Sequence, residues 1–270
     1  MKRFLLTVSF LILCSIAFSI ENHPVGARSR ALSDAFVSVS DLWSTFHNQA
    51  GIAGWNNVIV GFYYESRYMI DELSLAAGSV LLPVNQGCFG ISFYQFGKGS
   101  FKENKYAFAY ALQLNGKLRA AIQLDYFSHR FPENERSKGV VTFETGIIYQ
   151  ATKNLFLGAH IFNPVKAGIE TFQGKEKMPL VFRLGGHYQF AEMVMVVLEV
   201  HKSSDLPVII KSGIEFSPAK NLALRFGVSG KPINYTAGIG YTVGKLTTDI
   251  SFGYQGNLGV TPAISIQFAF

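Results

Sequence analysis

The sequence predicts an all-β protein, a closed antiparallel transmembrane β-barrel of about fourteen strands. Three observations carry that expectation. From residue 57 onward, apolar residues recur at every second position in about fourteen segments separated by turn residues. The composition sets 49% hydrophobic residues against only 16% charged ones and includes 26 Gly, 24 Phe and 12 Tyr, the mixture a barrel with lipid-facing aromatic girdles uses. Beyond the N-terminus there is no run of about 18 apolar residues, so a bilayer would be crossed by strands and not by helices.

The first nineteen residues read as a cleaved export signal. Lys2 and Arg3 form the charged start, residues 4–16 the apolar stretch, and Ala17, Phe18 and Ser19 a small-x-small cleavage site. Cys14 follows Leu13, where a lipobox needs a small residue, so lipidation is not expected. Without the signal, Cys88 is the sole cysteine, which excludes an internal disulfide and suits a small buried hydrophobe. The formal charge of +6 falls to +4 without Lys2 and Arg3. That is too mild for a nucleic-acid binder, and no recognition motif accompanies it. Lys98, Lys102, Lys105, Lys166, Lys175 and Lys177 fall in expected loops, either solvated or touching anionic lipid head groups. The expected location is the outer membrane, among its lipids and lipopolysaccharide, with no nucleic-acid partner and no cofactor.

Residues 20–56 stand apart: small and polar residues dominate and no long alternation appears. The barrel proper is residues 57–270, with segments starting near Val58, Leu73, Cys88, Tyr106, Leu118, Val141 and Leu155. The series continues near Leu180, Met193, Val208, Leu222, Tyr235, Leu246 and Val260. Leu118, Ala120, Ile122, Leu124 and Tyr126 make one apolar face; Arg119, Ala121, Gln123, Asp125 and Phe127 make the other. Such segments have roughly the 9–11 residues a tilted strand needs to cross a bilayer. Hydrocarbon offers no water to an open sheet edge, so the sheet must close on itself. The chain ends "AISIQFAF", with Ile264, Ile266, Phe268 and Phe270 on one face, as a final strand that seals against the first. Phe268 and Phe270 resemble the C-terminal assembly signal of outer-membrane barrels.

Tight turns are expected at Pro83 to Asn85, Asn115 and Gly116, Ala191 and Glu192, Ser217 to Ala219, and Gly244 and Lys245. Longer loops fall at residues 97–103, 131–138 and 163–178, too modest for a large lid. Short turns face the periplasm and long loops the exterior. Tyr63, Tyr94, Tyr106, Tyr241 and Tyr254 are expected in the interfacial girdles.

The stretch "GARSRALSDAFVSVSDLWSTFHNQAGIA", residues 26–53, resembles the N-terminal region of the FadL family of hydrophobic-compound transporters. It is still more similar to the PorV and PorQ proteins of type IX secretion. Gly26, Ala27 and Arg28 match the family's start, Asp34 and Phe36 its middle, and Asn48, Ala50 and Gly51 its ending. Gln49 stands where the family has proline. The resemblance implies a fourteen-stranded barrel whose lumen is plugged by residues 20–56. It implies partners among outer-membrane secretion or assembly proteins, with passage of small hydrophobic compounds as the alternative role.

Catalysis has little support. His129, His160, His187 and His201 are scattered over different strands, and there is no nucleophile elbow or phosphate loop. No metal site is expected. The inward charges say more. Counting from expected turns places Asp125 opposite Glu144, and Lys211 beside Arg225. Like charges that close need compensation. The plug could supply it, with Arg28 and Arg30 against the carboxylates and Asp34 or Asp41 against the cations; alternatively, an acidic wall faces a basic one across a wet lumen. A polar, charged interior suits apolar ligands poorly, and this favours a docking role over transport.

Overall fold

The chain is described here by a computed structural model that covers residues 22–99, 102–131, 134–171 and 174–270. The expected export signal, residues 1–19, lies outside them. The first half of the barrel comprises β1 (Ile59–Ser66), β2 (Ser74–Val84), β3 (Gly87–Phe96), β4 (Lys102–Gln113), β5 (Leu118–Phe131), β6 (Asn134–Gln150) and β7 (Leu155–Phe162). A small hairpin follows, β8 (Gly168–Thr171) with β9 (Gly174–Lys177). The second half comprises β10 (Val181–Phe190), β11 (Val194–Ser203), β12 (Ile209–Ala219), β13 (Leu222–Ser229), β14 (Asn234–Val243), β15 (Leu246–Gln255) and β16 (Gly259–Ala269). Fourteen of these strands form one closed antiparallel barrel, and the hairpin is a separate two-stranded sheet.

Closure runs through the ends of the chain. β1 pairs with β16 from Ile59 opposite Ala269 to Glu65 opposite Ala263, and the Phe270 N–H donates to the Val58 carbonyl at 2.9 Å. Every residue up to the last is therefore held, as the terminal alternation predicts. Along each strand the outward side chains are apolar and exposed, such as Ile122, Leu124 and Tyr126 on β5, while their neighbours Gln123, Asp125 and Phe127 are buried. Phe268 and Phe270 point outward and pack edge-to-face with centroids 5.0 Å apart.

Twelve of the expected segment starts lie within one residue of a strand start. The other two begin earlier, β4 at Lys102 and β6 at Asn134. There the pairing extends past the apolar band into polar sequence, where alternation gives no signal. The 163–178 loop also holds more than its length suggested. Asn163 ties it down, accepting from Thr142 Oγ1 and the Ala167 N–H and donating to the Met178 carbonyl, while Ile169 and Met178 bury against the interior.

Two of the five expected girdle tyrosines are inside. Tyr63 donates to Glu65 and Tyr94 to Glu103, each at 2.7 Å, and both are buried. Each sits on the inward phase of its strand, and that phase decides which way a tyrosine points. Tyr106, Tyr241 and Tyr254 do face outward.

Residues 22–56 are held against inward-facing side chains of the barrel. A short helix α1 (Ala27–Ala31) is followed by a 3-10 turn, Leu42–Phe46, and a second, Gln49–Ile52. Asp41 caps the first by accepting from the Trp43 N–H, with Ser44 Oγ accepting from the Asp41 N–H in return. Asn48 caps the second by accepting from the Ala50 N–H. Such reciprocal caps satisfy helix-end donors that would otherwise be buried unpaired. Gly26 starts α1 at φ +116°, where a Cβ would also strike the Trp43 ring at 2.6 Å.

Candidate functional site

The inner wall has two unlike arcs, and residues 22–56 touch both. From β10 round to β1 it carries charge. Arg225 on β13 donates to Glu215 on β12 and to Asp249 on β15 (2.7 Å), so one guanidinium joins three strands. Arg28 of α1 reaches the same Glu215 through two nitrogens, both at 2.8 Å, and Asp41 at 2.9 Å. Two parallel N–H donors on one carboxylate fix direction as well as charge. Arg30 lies 3.3 Å from Glu65 and 3.0 Å from Asp34. Glu199 on β11 accepts the backbone N–H groups of both Phe36 and Val37 at 2.9 Å. Thr236 Oγ1 accepts the Ser33 N–H at 3.1 Å.

These ties revise the expected charge map. Lys211 faces Ser229, and Arg225 faces Glu215, so the two cations are not neighbours. The reason is Pro218. Expected within a tight turn, it lies in a register shift between Phe216 and Ala219 while β12 runs on to Ala219. Proline lacks the ladder N–H and is tolerated at such irregularities. Lys211 instead lies 4.0 Å from Glu199.

Asp125 and Glu144 are close but diagonal: Glu144 faces Gln123, and Asp125 faces Thr142. Their compensation comes from the wall. Lys105, expected in a solvated loop, is fully buried between Glu144 and Asp125, the latter at 3.3 Å. Its ammonium also lies 5.4 and 5.6 Å from the ring centres of Phe127 and Phe162. Gln123 donates to both carboxylates at 2.9 Å, and His160 lies 2.9 Å from Glu144. The N-terminal segment contributes two amides here, Gln49, which donates to Glu144 at 3.1 Å, and Asn22, which accepts from Lys105 at 3.1 Å, and no arginine among the contacts described.

On β2 to β5 one stretch of the inner wall is apolar and small, Ala77, Leu81, Cys88, Ala109, Ala111 and Ala121, while Glu103, Lys105, Gln123 and Asp125 line the same strands elsewhere. Leu42, Trp43, Phe46 and Ile52 pack into this arc. The expected polar, charged interior is therefore interrupted by an apolar stretch.

Placement of the motif residues follows from these ties. Ala27 and Ala50 are fully buried, and the Ala27 N–H is 3.4 Å from Ser265 Oγ. Phe36 fills a pocket with Leu32, Ala35, Val39, Met195 and Val197. Asn48 Nδ2 donates to the Val37 carbonyl at 2.6 Å and to the β6 carbonyl of Ile147 at 3.1 Å. At Gly51 a Cβ would meet Ser44 Oγ at 2.6 Å. Sequence reasoning missed Glu65, Lys105, Glu199, Glu215 and Asp249. Their signal was available: each is a charged residue on the inward phase of an alternating strand.

His187 accepts or donates with Ser38 Oγ at 2.9 Å through Nδ1 and stacks on Phe156, while His160 faces Arg183 four residues away on β10. Among the described residues no three His, Cys, Asp or Glu side chains are arranged to hold a metal ion.

Three solved barrels resemble this architecture. The Ralstonia pickettii toluene transporter TbuX superposes with TM-score 0.69 at 12% identity, covering 91% of this chain and 98% of its own. The fold is shared with FadL-type channels. The toluene transporter TodX of P. putida gives 0.63 at 14% identity over 93% and 99%. A Pseudomonas aeruginosa FadL homologue gives 0.62 at 12% over 87% and 95%. No family model matches the sequence, and no curated protein matches it. The named neighbours are transport channels, and none of them is a PorV or PorQ protein or an enzyme.

Proposed function

We propose that this protein is an outer-membrane channel for small hydrophobic compounds, exported by a signal at residues 1–19 and inserted as a barrel. Residues 22–56 act as the plug that must shift for passage. The observation that carries the reading is the two-sided interior: an apolar arc suited to hydrocarbon, with a resident segment stitched to the opposite, charged arc. The likeness to TbuX and TodX supports it at the level of fold, and both are described as toluene transporters. An apolar outer wall with closed strand pairing suits hydrocarbon surroundings, where lipids and lipopolysaccharide would be its contacts.

Uptake into liposomes tests the role. Vesicles carrying the purified barrel should accumulate labelled toluene faster than empty ones and should not admit glucose at the same protein density. Equal toluene rates with and without protein would remove the reading. A place in a secretion or assembly complex rests on the N-terminal motif alone and ranks second; co-migration with partners on a native gel would raise it.

A further inference from the structure

Three cations of the inner wall are buried outright among the described residues: Lys105, Arg225 and Arg183. Two of them are answered by pairs of carboxylates. Lys105 sits between Asp125 and Glu144, and Arg225 between Glu215 and Asp249. Arg183 is not. Its one hydrogen bond runs from Nη1 to the His47 carbonyl at 3.3 Å, and its Nε is buried with no partner. Buried charges in folded proteins are paired, because an uncompensated one keeps its full desolvation cost.

The neighbours of Arg183 deepen the imbalance. The β-ladder sets His160 of β7 directly opposite it on one side and His201 of β11 directly opposite on the other. Side chains paired in this way lie about 5 Å apart at Cβ. Three nitrogen bases thus form one row across three strands, with no acid in the row. His160 spends its Nε2 on Glu144, 2.9 Å away. His201 has a buried Nδ1 that meets no partner. The nearest acids along these strands are engaged elsewhere. Glu144 also serves Lys105, Gln123 and Gln49, while Glu199 takes two backbone N–H groups through Oε2 and has Lys211 4.0 Å from Oε1.

We propose that this row is a binding site for a small inorganic anion of the halide class, held between Arg183 Nε and His201 Nδ1. Both groups can donate: Nε always carries its hydrogen, and His201 needs only the tautomer with hydrogen on Nδ1. Enclosure sets the size. His160 and Arg183 are 3% and 4% exposed, which suits a single ion better than a bulky anion. The site lies on β7, β10 and β11, away from the apolar stretch of β2 to β5, and it places no demand on what the lumen passes. Its ion would be a fixed counter-charge where the wall meets the His47 carbonyl of the N-terminal segment.

Chloride itself is the probe. The full-length barrel, purified in zwitterionic detergent and held in sodium gluconate at constant ionic strength, should broaden the chloride NMR line saturably as sodium chloride replaces gluconate. Bromide should reverse the broadening by competition. Arg183→Gln should abolish it. His201→Phe, which keeps a ring and removes the donor, should raise the half-saturating chloride about tenfold, as loss of one hydrogen bond to a charged group predicts. Lys98→Gln, at an exposed cation paired with Asp71, should titrate like the parent. Heat-modifiable gel migration identifies the folded variants. A parent barrel with no saturable broadening overturns the site, and so does a parent-like titration in either folded variant of the Arg183 and His201 pair.

Discussion

Glu199 holds the N-terminal segment by its backbone, not by a side chain. One oxygen, Oε2, takes two consecutive N–H groups, those of Phe36 and Val37, in a fully enclosed place. Replacing it with alanine would leave both donors buried and unpaired, at a cost of roughly 1–3 kcal/mol each. Glu199→Ala should therefore expose the segment to protease at low concentrations that leave the parent chain intact, while Glu199→Gln, which keeps one acceptor oxygen, should lie between. Equal cleavage of all three would show that the bonds do not hold the segment. His47 adds a pH dependence at the same scale. Its Nε2 donates to the Val25 carbonyl at 3.0 Å, Nδ1 is buried without a partner, and Arg183 lies on its carbonyl at 3.3 Å. Burial, then the nearby Arg183 charge, lowers its pKa to about 3 from an ordinary 6.5. A base lowered on docking is neutral in the docked state and protonates once released. Docking is thus strongest above pH 6.5 and weakens as pH falls from there toward 3. With one pKa unit equal to about 1.4 kcal/mol, the loss at pH 4.5 is about 2–3 kcal/mol. Protease sensitivity of the segment should rise between pH 7 and 4.5, and His47→Gln should flatten that rise.

Strands were legible because their two faces meet different media. Ile122 and Gln123 are neighbours in sequence, yet one is 52% exposed on the outer wall and the other is 1% exposed among carboxylates. Period-two alternation records that difference directly, and it placed most strand starts to within one residue. Ile122→Arg should cost roughly 2–4 kcal/mol if the site is near the bilayer midplane; urea titration of the barrel in lipid vesicles would measure it, and a change below 0.5 kcal/mol would place the residue outside hydrocarbon. Pairing was less legible because register depends on one turn residue at a time. Pro218 shifted the β12–β13 count and with it the Lys211–Arg225 pairing, whereas Asp125 and Glu144 came out only one diagonal away. The N-terminal segment carries no periodicity at all: its shape depends on caps such as Asp41 and Asn48 and on contacts with distant strands. Gly158 marks one such contact, since a Cβ there would overlap the Val37 carbonyl and lie 2.9 Å from Ser38 Cα. Gly158→Val should loosen residues 36–38 while leaving barrel pairing intact, read as faster amide exchange confined to that stretch.

At the scale of the whole molecule, the segment links the two arcs of the wall. Its arginines compensate Glu65 and Glu215, its aromatic rings fill the β2–β5 side, and its amide at Asn48 reaches backbone on β6. The wall does not depend on it for closure: strand pairing runs without a break from β1 through β16, and Lys105 and Arg225 already sit between wall carboxylates. Removing residues 22–53 should therefore leave a folded barrel with a wet, continuous lumen instead of unfolding the chain. In a planar bilayer the shortened protein should conduct steadily, while the parent stays closed for most of the record. Arg28→Ala with Arg30→Ala, in the full-length chain, should give brief openings at the same voltage, because the charged anchors are lost while the aromatic packing remains. Should the shortened barrel run as a folded band and still carry no more current than its parent, another part of the chain blocks the lumen. The hairpin at β8 and β9 would be the next element to remove, since Ile169 and Met178 already reach into the interior.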